Sequence, residues 1–98
     1  MGTLRKILWT STARFDLRRL RAWTERYSPT KASVQAQRIR KAIETLPGNP
    51  RLGHAISLPD GGSEELRELI LAPYVIRYTV APDHIVIIRL WHGREERE

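Results

Sequence analysis

Two amphipathic stretches meet at Ser28-Pro29 with no linker between them, and that joint restricts the fold more than any other feature of the chain. Upstream, "TSTARFDLRRLRAWTERY" places Ala13, Leu17, Leu20, Trp23 and Tyr27 at spacings of three and four, which predicts one apolar helix face. Ser11 or Thr12 can cap its start, and Asp16 lies toward the electropositive N-terminal end. Downstream, Ala32, Ala36, Ile39, Ile43 and Leu46 form a second stripe. Ser28 suits the cap, and Pro29 suits the first helical position, where no backbone N–H is needed. So short a joint predicts an antiparallel helical hairpin. Its two stripes then need an apolar surface to cover.

The remaining segments supply that surface. Residues 4–9, "LRKILW", are short and apolar enough for a strand. "LPGNP" ends the second helix, and residues 47–64 read as a long Pro- and Gly-rich surface loop with a short strand near Ile56. Strands follow at about 65–71, 74–81 and 85–92, with turns at Ala72-Pro73 and Pro82-Asp83. The fold class is therefore α+β: an N-terminal strand, an antiparallel helical hairpin and a small antiparallel sheet, one domain over residues 1–98.

The hairpin can cover only one sheet face. Strict alternation puts Tyr74, Ile76, Tyr78 and Val80 on that side, with Val75, Arg77 and Thr79 opposite. In the last strand it groups Ile85, Ile87, Arg89 and Trp91 against Val86, Ile88, Leu90 and His92. The expected core is Leu17, Leu20, Ile39, Ile43, Ile76, Tyr78, Ile88 and Leu90. The expected open face carries Arg77 and Arg89 among Val75, Ile85, Ile87 and Trp91, and looks like a surface meant to be covered.

Charge narrows the partners. Residues 1–41 hold 11 Lys/Arg against 2 Asp/Glu, a charge of +9; residues 42–98 hold 6 against 9, a charge of −3. The asymmetry points to an acidic partner for the first half, either nucleic acid, the ribosome or an acidic protein. Phe15 stands off the apolar stripe among arginines. The absence of cysteine excludes a disulfide scaffold and suits a reducing cytoplasm. No membrane span and no signal peptide are expected. His54, His84 and His92 lack metal-ligand spacing, and no cofactor motif is present.

The order of elements and several phrases together resemble the RelE/ParE superfamily of type II toxin–antitoxin toxins. These are Ala13-x-x-Asp16-Leu17 with Leu20 and Trp23, "NPRLG" after the second helix, "ELREL" entering the sheet, "PYVIRYTV", and "IVIIRLWHGR" at the end. The resemblance covers almost the whole chain. It implies a growth-inhibiting toxin neutralised by a cognate antitoxin that wraps a flexible segment over it, in complexes such as a heterotetramer. ParE-like members inhibit DNA gyrase. RelE-like members are ribosome-dependent mRNA endonucleases.

RNA cleavage without a metal needs deprotonation of the 2′-hydroxyl, stabilisation of the phosphorane and protonation of the leaving oxygen. In this chain the candidates for such a site are Arg67, Arg77, Arg89, His92 and Arg94. RelE-like nucleases usually place a phosphate-binding arginine directly after the aromatic opening the middle strand; here that position is Val75. Arg77 shares its face but lies about 6–7 Å further along the strand. The ParE-like branch is therefore preferred, with Phe15, Arg18, Arg77, Ile87, Arg89 and Trp91 as candidates for contacting antitoxin or target.

Overall fold

The computed structural model describes residues 4–57 and 65–95. Strand β1 (Lys6–Trp9) leads into helix α1 (Ser11–Glu25) and helix α2 (Pro29–Glu44). Strands β2 (His54–Ile56), β3 (Glu65–Leu71), β4 (Tyr74–Val80) and β5 (His84–His92) complete the fold. The second half of the expected loop, residues 58–64, lies outside the described residues. The sheet order is β1-β5-β4-β3-β2; β2 to β5 run antiparallel to their neighbours, and β1 joins parallel beside β5.

The hairpin forms where the joint requires it. The Ser28 side chain accepts the Lys31 N–H at 3.1 Å, and Pro29 begins α2. The α2 stripe of Ala32, Ala36, Ile39 and Ile43, with Leu46 just beyond, is buried. Helix α1 begins one or two residues earlier than expected, and its cap is Thr10 rather than Ser11 or Thr12. The Thr10 hydroxyl accepts the Ala13 N–H at 2.9 Å and donates to the Ile88 carbonyl at 2.9 Å. That one side chain ties the strand-to-helix corner to β5.

The apolar stripe of α1 also differs. Ala13 and Leu20 are buried, Leu17 and Thr24 partly so, while Trp23 and Tyr27 are 59% and 75% exposed. Thr24 occupies the inward position instead, its hydroxyl turned onto the Leu20 carbonyl at 3.2 Å. Thr24 lines a small hollow with Ala32 and Ala36 of α2, while Trp23 and Tyr27 lie on the outward side.

A β-bulge decides which residues of β5 enter the core. Arg77 pairs with Arg89, but the next residue, Tyr78, pairs with Ile87, so Ile88 has no opposing residue. One inserted residue exchanges the two faces on either side of it. Ile85 and Ile87 therefore lie in the core at 0% exposure, together with Leu90, Ile76 and Tyr78. Ile88, expected in the core, is only partly buried. The open-face placement of Ile85 and Ile87 is corrected accordingly, and Ile87 presents no surface to a partner.

The loop after α2 is pinned to the sheet by Tyr78. Its hydroxyl accepts the Gly53 N–H at 2.9 Å and donates to the Pro50 carbonyl at 2.8 Å. A Cβ at Gly53 would meet the Glu68 carbonyl oxygen at 2.6 Å and the Tyr78 hydroxyl at 2.9 Å, so this close approach of backbone to strand needs glycine. Burial raises the Tyr78 pKa, which keeps the phenol protonated and able to donate.

Candidate functional site

The strand arginines do not form one column. Cross-strand partners share a face, and Arg67 pairs with Tyr78 whereas Arg77 pairs with Glu68 and Arg89. Arg67 thus lies on the hairpin side, where it donates to the Gly53 carbonyl at 2.6 Å and to Glu65 at 2.8 Å. The hydrogen bonds from Arg67 and Arg51 hold the Glu65 carboxyl below the usual range. Arg67 is a brace for the 50–53 loop, separated from Arg77 and Arg89 by the thickness of the sheet.

Arg77 and Arg89 face each other across β4 and β5, an unfavourable like-charge pair unless neutralised. Each has a carboxylate. Arg77 donates through Nε at 2.9 Å and Nη2 at 2.6 Å to Oε2 of the buried Glu68. Arg89 donates through Nε at 2.9 Å to Oδ2 of Asp16, which is 1% exposed. Both guanidinium carbons also lie over the Trp91 ring, 4.8 and 5.1 Å from its centroid, in cation–π range. Trp91 is only 2% exposed, and it pairs in register with Val75, itself buried. On the open face Val75, Trp91 and Glu68 are therefore buried, with Arg77 and Arg89 lying against the Trp91 ring. The arginines and Trp91 were legible from strand parity; their carboxylate partners were not, because Asp16 comes from a helix and Glu68 from another strand.

Asp16 has a second task. β1 pairs with β5 only as far as Ile87, so among the described residues the edge of β5 beyond that point has no strand neighbour. Helix α1 takes the place of one. The Thr10 N–H donates to the Ile87 carbonyl at 3.1 Å, and Asp16 Oδ2 accepts the Leu90 N–H at 2.9 Å. A buried carboxylate thus satisfies a sheet N–H and positions Arg89 with the same oxygen.

Beside this edge runs an open groove of about 1150 Å³ between α1 and the end of β5, lined by residues that include Phe15, Arg18, Arg19, Trp23, Arg26 and His92. Phe15 is 58% exposed, and the Arg26 guanidinium lies 5.8 Å from the Trp23 ring centroid. His92 packs edge-on against Tyr74 at 5.7 Å, and its Nδ1 accepts the Arg94 N–H at 3.2 Å. The structure therefore brings Phe15, Arg18, His92 and Arg94 to one groove. It places Arg77, Arg89 and Trp91 in a paired stack on the open face, with Arg67 and Ile87 on the opposite side. Among the described residues, no group of three or more His, Cys, Asp or Glu side chains is arranged to hold a metal ion, and no helix is long and apolar enough to cross a membrane.

Residues 7–97 match the family described as the ParE toxin of type II toxin–antitoxin systems, parDE. The chain belongs to the ParE toxin family. Among its relatives, Toxin RelE2 of Caulobacter vibrioides is 34% identical over 89 residues, covering 90% of this chain and 94% of the relative. Toxin RelE3 of the same organism is also 34% identical over 89 residues, covering 87% and 90%. Among solved structures, the chromosomal ParDE system from P. aeruginosa superposes with a TM-score of 0.72 at 23% identity, over 91% of this chain and 96% of that one. The RelBE2 toxin–antitoxin complex from Mycobacterium tuberculosis gives a TM-score of 0.64 at 21% identity, over 94% of each chain. Names of both branches thus occur among the relatives of this ParE-family toxin, and fold alone does not separate the two activities.

Proposed function

We propose that this type II toxin arrests growth through a protein–protein contact with DNA gyrase and is not a nuclease. The reading rests on the state of the strand arginines. A phosphate-binding arginine must offer its fork to the substrate. Arg67, Arg77 and Arg89 are instead bound to Glu65, Glu68 and Asp16. Position 75, where RelE-like nucleases carry their phosphate grip, is a buried valine paired with Trp91. The exposed aromatic and cationic groups on α1 suit a protein surface, where aromatic and arginine anchors dominate binding. The neutralising partner is a cognate antitoxin.

Two assays on the purified protein decide between the targets. Inhibition of gyrase supercoiling, with ribosome-bound mRNA left intact, is expected. Cleavage of mRNA in the ribosomal A site that His92→Gln abolishes would overturn the proposal, since loss of an acid–base group costs about 10²–10⁴-fold in rate.

A further inference from the structure

The groove between α1 and the end of β5 already contains a carboxylate, and it is the chain's own. Beyond β5 the backbone turns back, the Glu95 N–H donating to the His92 carbonyl at 2.9 Å. The Glu95 side chain then bridges two donors. One carboxylate oxygen accepts the His92 N–H at 2.8 Å, and the other accepts Nη1 of Arg19. Arg19 is held from behind: its Nη2 donates to Asp16 at 3.3 Å and to the Leu90 carbonyl at 3.4 Å. Since Asp16 is buried and fixed by β5, Arg19 keeps its aim whether or not Glu95 is present.

We propose that Glu95 is an internal stand-in for a carboxylate of the antitoxin. In the free toxin it closes the Arg19 end of the groove, and an acidic amphipathic segment of the antitoxin displaces it. The inference rests on the toxin reading above and adds where the partner enters and which group it must expel. Three observations carry it. The donor set of Arg19 and the His92 N–H is already shown to accept a carboxylate. The ion pair it makes is partly exposed on both sides, so it is weak and exchangeable. The surrounding wall sets Arg18, Arg26 and Arg94 beside the exposed Phe15 and Trp23. That combination complements carboxylates interleaved with apolar anchors. The groove exceeds the usual size of a small-molecule pocket and is not enclosed, which suits a polypeptide segment.

A closed latch reduces apparent affinity by the fraction of molecules that are closed. Removing it therefore tightens binding, whereas loss of a merely structural contact would leave binding unchanged or weaker. The test measures binding of the protein encoded beside this gene, taken as the antitoxin, to the full-length toxin by titration calorimetry, with urea midpoints recorded for every variant. Glu95→Gln is expected to tighten binding by about 3–10-fold. Glu44→Gln, the same charge change on the exposed end of α2, is expected to alter it by less than about 2-fold. Phe15→Ser and Trp23→Ser, both at exposed positions, should weaken binding at least about 10-fold without moving the midpoint. Unchanged or weaker binding by Glu95→Gln, or wild-type binding by both aromatic variants, would overturn the stand-in role while leaving the toxin reading intact. Displacement of the antitoxin by an oligouridylate would show that the groove serves nucleic acid, and would overturn the proposal as well. A neighbouring gene product that binds no form of the toxin would remove the partner reading together with this inference.

Discussion

Replacing Asp16 by alanine tests how much of the fold depends on one buried carboxylate. The side chain accepts the Leu90 N–H and the Arg89 Nε at 2.9 Å each, with longer contacts to Arg89 Nη2 at 3.4 Å and Arg19 Nη2 at 3.3 Å. A hydrogen bond to a charged group is worth about 1.5–3 kcal/mol. The two short bonds alone would suggest about 3–6 kcal/mol. Arg89 and Arg19 are about one-third exposed and can recover water, so their share is discounted. The Leu90 N–H is buried at a strand edge and recovers nothing. The expected loss is about 3–4 kcal/mol, consistent with breaking a buried ion pair from one side. With a urea dependence of about 1–1.5 kcal/mol per molar for a small domain, the midpoint should fall by about 2–4 M. Asp16→Asn keeps an oxygen for the Leu90 N–H but no charge for the guanidiniums, and should lose about half as much. Equilibrium urea unfolding followed by tryptophan fluorescence reads both. A midpoint for Asp16→Ala within about 0.5 M of wild type, or equal losses for the two variants, would refute the assignment of Asp16 as the cap of β5.

Leu20→Ala should cost about 2–5 kcal/mol as a large-to-small change where α1 meets the core, read by the same unfolding curve. Gly53→Ala should destabilise at least as much as the loss of the Tyr78 bonds, because the added Cβ meets backbone at 2.6 Å. Tyr78→Phe, which leaves the packing but orphans two backbone groups, should cost about 1–3 kcal/mol. Acid unfolding should show the Glu65 contribution: its folded pKa is lowered by Arg67 and Arg51, so the stabilisation is present above about pH 4.3 and is lost as pH falls through the folded value. Glu65→Gln should flatten that part of the pH–stability curve without changing the neutral-pH target assays.

Local periodicity and turn chemistry determined most of the architecture. The α2 stripe from Ala32 to Leu46 is buried as its spacing requires, and Tyr74, Ile76 and Tyr78 alternate onto the core face as an uninterrupted strand must. Ser28-Pro29 set the hairpin because a cap and an N1 proline act within one turn of chain. The site resisted the same reading. Whether Ile85 and Ile87 or Ile88 turn inward depends on how β5 registers with β4, and one unopposed residue at Ile88 reverses the answer. Whether Trp23 is buried depends on how far the sheet extends beneath α1, and periodicity along the helix carries no information about that edge. Asp16, Glu68 and Glu95 acquire their roles only when elements distant in sequence place a guanidinium or a strand N–H within hydrogen-bonding reach. Short-range order is encoded by neighbours three or four residues apart. The pairs Arg77–Glu68 and Arg19–Glu95 span 9 and 76 residues of sequence and are set by tertiary packing.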